Sequence, residues 1–523
     1  MPTPPPPVDD DVPDTSSALD RVIVYSRPLD DVGVLGFEDG GIAPDGFGGA
    51  DGRFLTALLN ATRAPLVSRW QQITARRVLL SRVPTPSGVL PADWIAARAL
   101  FLARSGEADP ARWLVSAVDP DRLTPAFSQA AMLTALANAD ASGLCPYAPF
   151  VEGSTPLWRM AQAVCAGLSG EPGRAVALVE QARRAAGGRR TPDILLAEKV
   201  IGATANGRRA VRMRWEEVPQ LTPWRFGMAA ATGAVVPTAL WDDAAPEIRA
   251  WGARAPLYSS IERAGLAATA ALLGAFSSAN YVTALSAAAA TGDTLPDTLL
   301  NEVNNLREAY VADDAAARIA AMKSLWGTRE DAPGYAALVL TARAAARVVP
   351  SDKALGAVDR LVASMFTAGL DRSASRWAAL VEDDGSKSTD LAWALLAVGS
   401  PDAVVSRSRG RVESFVERQD KHRAALLVAA LAGLGRLDAG AANTVAGDLN
   451  APLDVPSRWS NLLASAAARN QPGTVVLIAS AGLQSADWSD LPPHHLYQIL
   501  AAYRQVGLEG PARMIAAEAL TRA

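Results

Sequence analysis

The amino-acid sequence predicts an all-α protein, a superhelical stack of helical hairpins (an α-solenoid) that follows an extended, largely irregular N-terminal arm. From Arg53 onward, apolar residues such as Leu55, Leu58 and Leu59 recur at helical spacing, and prolines and glycines interrupt the pattern at irregular intervals. Alternating strand patterns are almost absent. Half of the 523 residues are hydrophobic, and alanine, the best helix former, dominates among them.

The first 52 residues differ in composition from the rest of the chain. They hold eleven acidic and two basic residues, a net charge of −9, whereas the whole chain carries −4 and the remainder therefore +5. Residues 1–20 contain mostly Pro, Asp and Ser, so we expect part of this arm to be disordered. The sequence divides into an arm (1–52) and N-terminal (53–190), central (191–350) and C-terminal (351–523) helical regions.

The arm also contains apolar residues that a solvated linker would not need. Ile23 and Tyr25 lie in one short run, and Leu35 and Phe37 lie in the next. These four residues are candidates for binding a partner protein, on which the arm would become ordered. The alternative is that they pack along the protein's own helical body.

Four turns of the body share one pattern. A helix ends in small or polar residues, a glycine takes the left-handed cap position, and an acidic residue or proline starts the next helix. The glycines are Gly106, Gly170, Gly435 and Gly507. This pattern resembles the turn between the two helices of tetratricopeptide-type repeats, although the spacing is irregular. The resemblance implies stacked hairpins with an extended concave surface for protein partners.

A second recurrence is the dipeptide Arg-Trp, which appears at Arg69, Arg112, Arg214, Arg376 and Arg458. We expect each Trp to fill the groove between neighbouring hairpins while its Arg reaches solvent or a carboxylate. The alternative is a ladder of aromatic and cationic groups that lines a concave binding surface.

The two cysteines, Cys145 and Cys165, are candidates for a disulfide, which would close a helix–turn–helix loop. The alternative is a pair of reduced, buried thiols. A Pro-rich, acidic start is common in exported chains after cleavage of the signal peptide, so the sequence favours a periplasmic location. A cytoplasmic location is the alternative.

Catalytic and metal-binding motifs are missing from the sequence. The three histidines and two cysteines provide no zinc ligand set, and no phosphate-binding loop is present. The alanine-rich body resembles the superhelix of soluble lytic transglycosylases, but Glu413-Ser414 lacks the segment that should follow their catalytic Glu-Ser. We therefore expect no catalytic residues, no cofactor, no metal site and no enzymatic activity.

The sequence thus predicts a non-catalytic scaffold or adaptor that binds protein partners, within a bacterial envelope assembly such as a motor, pilus, secretion or cell-wall complex. The alternatives are a superhelical accessory or degenerate enzyme of peptidoglycan metabolism, and a cytosolic regulatory solenoid. The near-neutral body argues against nucleic-acid binding. The uncharged stretch at 264–292 predicts two buried helices joined near Ser277 rather than a membrane span.

Overall fold

The computed structural model describes residues 27–151, 155–204, 211–327 and 332–523. The prediction of disorder for residues 1–20, and the candidate residues Ile23 and Tyr25, lie outside these ranges. Within them the protein is all-α, as predicted, and its β pairing is limited to one isolated bridge between Leu35 and Ser81.

The helices of the N-terminal part are α1 (Gly52–Ala61), α2 (Arg69–Leu80), α3 (Pro91–Arg104), α4 (Ala108–Val115), α5 (Pro125–Ala137), α6 (Pro156–Leu168), α7 (Pro172–Ala185) and α8 (Pro192–Thr204). Those of the central part are α9 (Pro223–Ala230), α10 (Thr238–Asp242), α11 (Pro246–Gly252), α12 (Ser260–Leu272), α13 (Ser278–Ala289), α14 (Asp297–Val311), α15 (Ala315–Trp326) and α16 (Ala332–Ala345). Those of the C-terminal part are α17 (Val358–Thr367), α18 (Asp371–Ser375), α19 (Ala378–Asp384), α20 (Asp390–Gly399), α21 (Arg409–Arg418), α22 (Lys421–Gly433), α23 (Ala439–Asp448), α24 (Arg458–Ala468), α25 (Pro472–Gly482), α26 (Pro493–Gln505) and α27 (Glu509–Arg522). Short 3₁₀ turns lie at Pro120–Arg122, Ser142–Leu144, Ala148–Phe150, Trp215–Glu217, Asp352–Ala357, Lys387–Thr389 and Trp488–Asp490.

The four recurring turns all have the predicted glycine cap. The φ angles of Gly106, Gly170, Gly435 and Gly507 are +84°, +76°, +66° and +76°, a region that glycine enters without a Cβ penalty. In each turn the next residue's N–H bonds the carbonyl five residues earlier, at 2.7 to 2.9 Å. This is the Schellman pattern, and it satisfies carbonyls that the helix end leaves unpaired.

The uncharged stretch forms two helices, as predicted. Helices α12 and α13 are connected by residues 273–277, and Ser277 caps α13 by accepting a hydrogen bond from the N–H of Asn280. Among the described residues, no helix combines the length and the apolar character that crossing a bilayer requires.

The two ends of the helical chain pack together. The last helix, α27, contacts α2, and α25 contacts both α1 and α2. Helix α27 also packs against α16, α17, α20, α22 and α26, and eight of its fourteen residues are buried. The C-terminal helix is therefore a central element of the core rather than the last layer of an open stack.

The described part of the arm, residues 27–50, lies on this helical body. The N–H groups of Val34 and Leu35 donate to the carbonyl of Leu80 at 2.7 and 2.9 Å, at the C-terminal end of α2. Further along, Phe47 is buried with its ring edge-on to that of Trp94, at a centroid distance of 5.3 Å. This part of the arm thus folds back on its own chain.

A buried arginine holds the arm to the end of α2. The Arg98 guanidinium donates to the carbonyls of Leu79, Val32 and Ser81 at 2.7, 2.7 and 3.1 Å, and the residue is 1% exposed. Burial lowers the pKa of Arg98 to about 9, which leaves it charged at neutral pH. Its hydrogen bonds satisfy carbonyls at a helix end, where a cation is electrostatically favoured.

Candidate partner-binding site

The arm forms a tight turn at residues 36–41, here called the Phe37 turn. The N–H of Gly41 donates to the carbonyl of Gly36 at 2.9 Å, and the N–H of Gly40 donates to the carbonyl of Phe37 at 3.1 Å. The Nε of Arg77, in α2, donates to the Gly40 carbonyl at 3.1 Å and so attaches the turn to this helix. Gly40 has φ +86°, so a side chain there would be strained.

Two of the four predicted partner-binding residues, Leu35 and Phe37, lie in the described ranges, and they differ in exposure. The Leu35 side chain is partly buried and packs against the core, and its main chain forms the bridge to Ser81. Phe37, two residues on, is 63% exposed, and Val34 is 41% exposed. Leu35 is thus an anchor for the arm, and Phe37 is the described member of the set that a partner could contact.

The chain on either side of the Phe37 turn is acidic, whereas the helical body beneath it contributes two exposed arginines, Arg77 and Arg82. Asp30, Asp31, Glu38 and Asp39 lie close to it in the sequence, and the only base between residues 27 and 52 is Arg27. The carboxylate of Asp39 accepts from the N–H of Gly36 at 3.3 Å, inside the turn. The site therefore combines an exposed aromatic ring with charges of both signs, the acids coming from the arm and the arginines from the body.

The Arg-Trp pairs do not form a surface ladder. Trp377 is fully buried, whereas Trp113 is 50% exposed. Arg112 and Arg214 reach the carboxylates of Asp140 and Glu217, as predicted. For Arg69 the expectation was wrong, because this residue is 3% exposed and reaches neither solvent nor a carboxylate with its side chain.

Arg69 lies where the two ends of the helical chain meet. Its guanidinium donates to the carbonyls of Ala271, Thr367 and Phe276 at 2.7, 2.7 and 3.3 Å. The last main-chain carbonyls of a helix have no hydrogen-bond donor within that helix, so a cation can satisfy them. Arg69 therefore connects α2 to segments some 200 and 300 residues away in the sequence.

A buried acid of the last helix caps the start of α2. The Glu518 carboxylate accepts from the Ser68 hydroxyl at 2.8 Å and from the N–H groups of Arg69 and Trp70 at 2.9 and 3.0 Å. Arg522, one turn later, pairs with the same carboxylate at 2.8 Å. Glu518 is 2% exposed and has its hydrogen bonds satisfied, so this cluster stabilises the fold rather than offering a reactive group.

Two further acids, the partly buried Asp359 and the buried Asp390, lie on helices that pack against the last helix. Asp359 of α17 accepts from the N–H of Ala392 at 2.8 Å, and burial, with a smaller contribution from Asp390, raises the pKa of Asp359 to about 7. Asp390 is fully buried and pairs with Arg411 and Arg418 at 3.1 and 2.8 Å.

A carboxyl group with a raised pKa beside a cavity, such as that of Asp359, is a typical feature of catalytic sites. The cavity that Asp359 lines with Tyr335 and Thr521 has a volume of about 40 Å³. That is room for an ordered water or two and not for a substrate. The geometry suits a buried polar network.

Neither Asp390 nor Glu518 was predicted to be buried, although the sequence carries a signal for both. Asp390 is followed by the nine-residue apolar run of 391–399, and Glu518 is the single charge in the run 514–520. A helix that is apolar on every side is buried on every side, so an acid within it must be buried and paired.

Two further acidic residues, Glu413 and Asp384, lie at the surface. Glu413 pairs with Arg409, one turn earlier in α21, at 2.6 Å, and its side chain is 41% exposed. Asp384, at the end of α19, accepts from the Ser386 N–H at 3.2 Å and so completes a turn. In the parts of the chain that the structure describes, no group of three or more His, Cys, Asp or Glu side chains could hold a metal ion.

Cys145 and Cys165 form a disulfide, with a Cα–Cα distance of 5.3 Å. The bond joins helix α6 to the residue that follows the 3₁₀ turn Ser142–Leu144, across a separation of 20 residues. It attaches the hairpin of α6 and α7 to the preceding part of the stack.

Comparison of the chain with protein-family models, with curated proteins and with solved structures gives no match.

Proposed function

We propose that this protein is a non-catalytic helical scaffold that binds a partner protein through the Phe37 turn, within a bacterial cell-envelope assembly. The observation that carries the proposal is the 63% exposed ring of Phe37 on a hydrogen-bonded turn. Large aromatic side chains are favoured anchors of protein interfaces, and a turn that is ordered before binding loses little conformational entropy.

The charge around the turn indicates the chemistry of the partner. Four acidic residues lie within seven positions of Phe37. The complementary surface is an apolar pocket that receives the ring, with Lys or Arg side chains on the side of its rim that meets these acids and Asp or Glu on the side that meets Arg77 and Arg82. Attraction between rim charges is screened by salt, so the association rate should fall as ionic strength rises.

The disulfide supports the proposed location. Disulfides form and persist in oxidising compartments such as the bacterial periplasm, and they are rare in the cytosol. The Cys145–Cys165 bond therefore favours an exported protein over a cytosolic regulatory solenoid.

The scaffold proposal includes the absence of catalysis. The peptidoglycan-enzyme alternative rests on Glu413, which is ion-paired with Arg409 on an ordinary helical face. Asp359 faces a cavity of about 40 Å³, which is too small for a substrate. A carboxylate variant that abolished a measurable hydrolytic activity while the fold stayed intact would overturn the proposal.

The test compares two matched variants of the full chain in affinity capture from envelope extracts, followed by binding measurements on the recovered partner. Phe37→Ser removes the proposed anchor, and Val349→Ser removes a side chain that is 72% exposed elsewhere. We expect Phe37→Ser to weaken binding about 30-fold, the effect of losing an interface hot spot, with no change in thermal stability. Equal binding by Phe37→Ser and Val349→Ser would contradict the proposal.

A further inference from the structure

A larger cavity, lined in part by charged side chains, lies open where α13 packs beside the start of α12. Its volume is about 470 Å³, which falls within the range of small-molecule sites. One wall is a face of α13 made of small and uncharged polar residues, among them Ala284 and Ala287. The charged part of the lining consists of Arg254, Arg263 and, from α4, Asp109. Here we call it the Arg263 cavity.

Two of the three charges that line the cavity cancel. The Arg254 guanidinium is ion-paired with the Asp109 carboxylate, and it lies over the ring of Phe276, 6.0 Å from the ring centroid. Glu107 and Arg76 also act electrostatically on Arg254, and they pair with each other. Arg254 is therefore a fixed part of the wall whose charge is already compensated, and one positive charge remains in the lining.

The remaining charge is that of Arg263, near the start of α12. Within the described ranges its guanidinium forms no ion pair, and one of its N–H donors is paired, with Ser260 Oγ at 3.3 Å. The neighbouring Glu262 is engaged elsewhere, because its carboxylate accepts from the N–H and the hydroxyl of Ser259, both at 2.8 Å. The cavity thus contains an arginine whose charge no carboxylate of the described chain compensates.

Helix α13 adds uncharged donors to the same cavity. The Oδ1 of Asn280 accepts from the Ser277 hydroxyl at 2.6 Å, so the amide Nδ2 is the donor that this side chain has left. Thr283 also lines the cavity, and both Asn280 and Thr283 are exposed. Guanidinium, amide and hydroxyl donors therefore meet in one cavity, whereas its one carboxylate is occupied by Arg254.

We propose that the Arg263 cavity binds a small molecule through an oxyanion, a carboxylate or phosphate group, which Arg263 holds and the Asn280 and Thr283 side chains orient. A guanidinium matches two oxygens of such a group with parallel hydrogen bonds, and charge-assisted bonds of this kind are stronger than those between neutral groups. The alanines at positions 284 and 287 leave room for the body of the ligand beside α13. The inference does not rest on the proposed role of the Phe37 turn, and it includes no reaction.

The first test measures the binding of citrate and of pyrophosphate to the full chain by isothermal titration calorimetry at constant ionic strength. Arg263→Gln removes the charge and keeps a good helix former. Arg469→Gln is the matched control, because Arg469 also donates to a serine hydroxyl, that of Ser465 at 2.9 Å. We expect Arg263→Gln to weaken binding at least about tenfold, the effect of losing a charge-assisted pair, and Arg469→Gln to bind as the parent chain does.

The second test changes the shape of the cavity and not its charge. Ala287→Leu places a larger side chain in the cavity, whereas Ala289→Leu places the same side chain at an exposed position on another face of α13. An excess of the anion that binds should raise the midpoint of thermal unfolding of the parent chain and of Ala289→Leu, and leave that of Ala287→Leu unchanged. The midpoints without the anion show whether each variant keeps its fold.

The two probe anions distinguish the sources of the oxyanion. Tighter binding of citrate assigns a carboxylate ligand and tighter binding of pyrophosphate a phosphate ligand, and either result supports the proposal. Failure of both anions to bind the parent chain at up to about 10 mM would overturn it. Equal binding by Arg263→Gln and Arg469→Gln, or by the two leucine variants, would also overturn it, because the anions would then be bound elsewhere on the surface.

Discussion

Helices α7 and α27 follow the same kind of turn, but α7 is mostly exposed and α27 is mostly buried. Both have fourteen residues and both follow a glycine with φ +76°, with matching hydrogen bonds in the preceding turn. Yet α7 buries two residues, Ala175 and Val179, and α27 buries eight. The turn chemistry therefore determines that a hairpin forms, and says nothing about how deeply its second helix is buried.

The two helices are also held in place differently. Helix α7 contacts only its neighbours α6 and α8 to any extent, and its charges pair at the surface, as Glu180 does with Arg183. The disulfide at Cys165 attaches this outer hairpin covalently. Helix α27 is held by apolar burial and by Glu518, whose buried carboxylate connects the two ends of the chain. An outer layer tolerates surface charge, whereas a central helix requires every polar group to be satisfied.

The largest expected effect is that of removing the buried acid. Glu518→Ala leaves Arg522 and the first N–H groups of α2 without their partner, so we expect a loss of about 3–5 kcal/mol in the free energy of unfolding. Urea unfolding of the full chain measures this loss. The control, Glu180→Ala in α7, breaks an exposed pair and should cost less than about 1 kcal/mol. Similar losses in both variants would show that α27 is no more central than α7.

The second effect concerns pH and the network beside α27. Asp359 has a pKa of about 7 in the folded chain, raised mainly by burial and further by Asp390, and opposed by the Ala392 N–H and Arg423. Between about pH 4 and 7 the folded chain therefore binds more protons than the unfolded chain does. The free energy of unfolding should fall as pH rises through this window, by up to about 4 kcal/mol, and then level off.

The measurement is urea unfolding at pH 5 and pH 8 for the chain and for Asp359→Asn. The variant should lose this part of the pH dependence, whereas Glu180→Gln in the outer helix should keep it. A pH response that is identical in the chain and in Asp359→Asn would show that this carboxyl group is ionised in the folded chain throughout the window.

The third effect tests the covalent attachment of the outer hairpin. Replacing Cys145 and Cys165 together by Ser should cost about 3 kcal/mol, since the bond closes a loop of some twenty residues in the unfolded chain. A reducing agent should destabilise the parent chain by a similar amount and leave the double variant unaffected. Hydrogen exchange should show the loss first in α6 and α7. A parent chain whose stability is insensitive to reductant would mean that its thiols are unpaired.

The sequence by itself determined the local structure of this protein. Helical periodicity, the glycine caps at Gly170 and Gly507, and the break at Ser277 all follow from interactions within a few residues, and each appears in the structure where predicted. The candidate site was predicted in part, because the exposed Phe37 was among the residues singled out. Which of the arm's apolar residues would be buried depended on contacts with α2, outside the arm itself.

Only the tertiary structure decided that the two ends of the chain meet. Arg69 was expected at the surface because its dipeptide looks like the other Arg-Trp pairs, but the carbonyls it binds come from segments far away in the sequence. Glu518 and Ser68 are 450 residues apart and meet at 2.8 Å. Periodicity and turn chemistry report neighbours within one or two helical turns, whereas burial of a charge depends on all the helices packed around it.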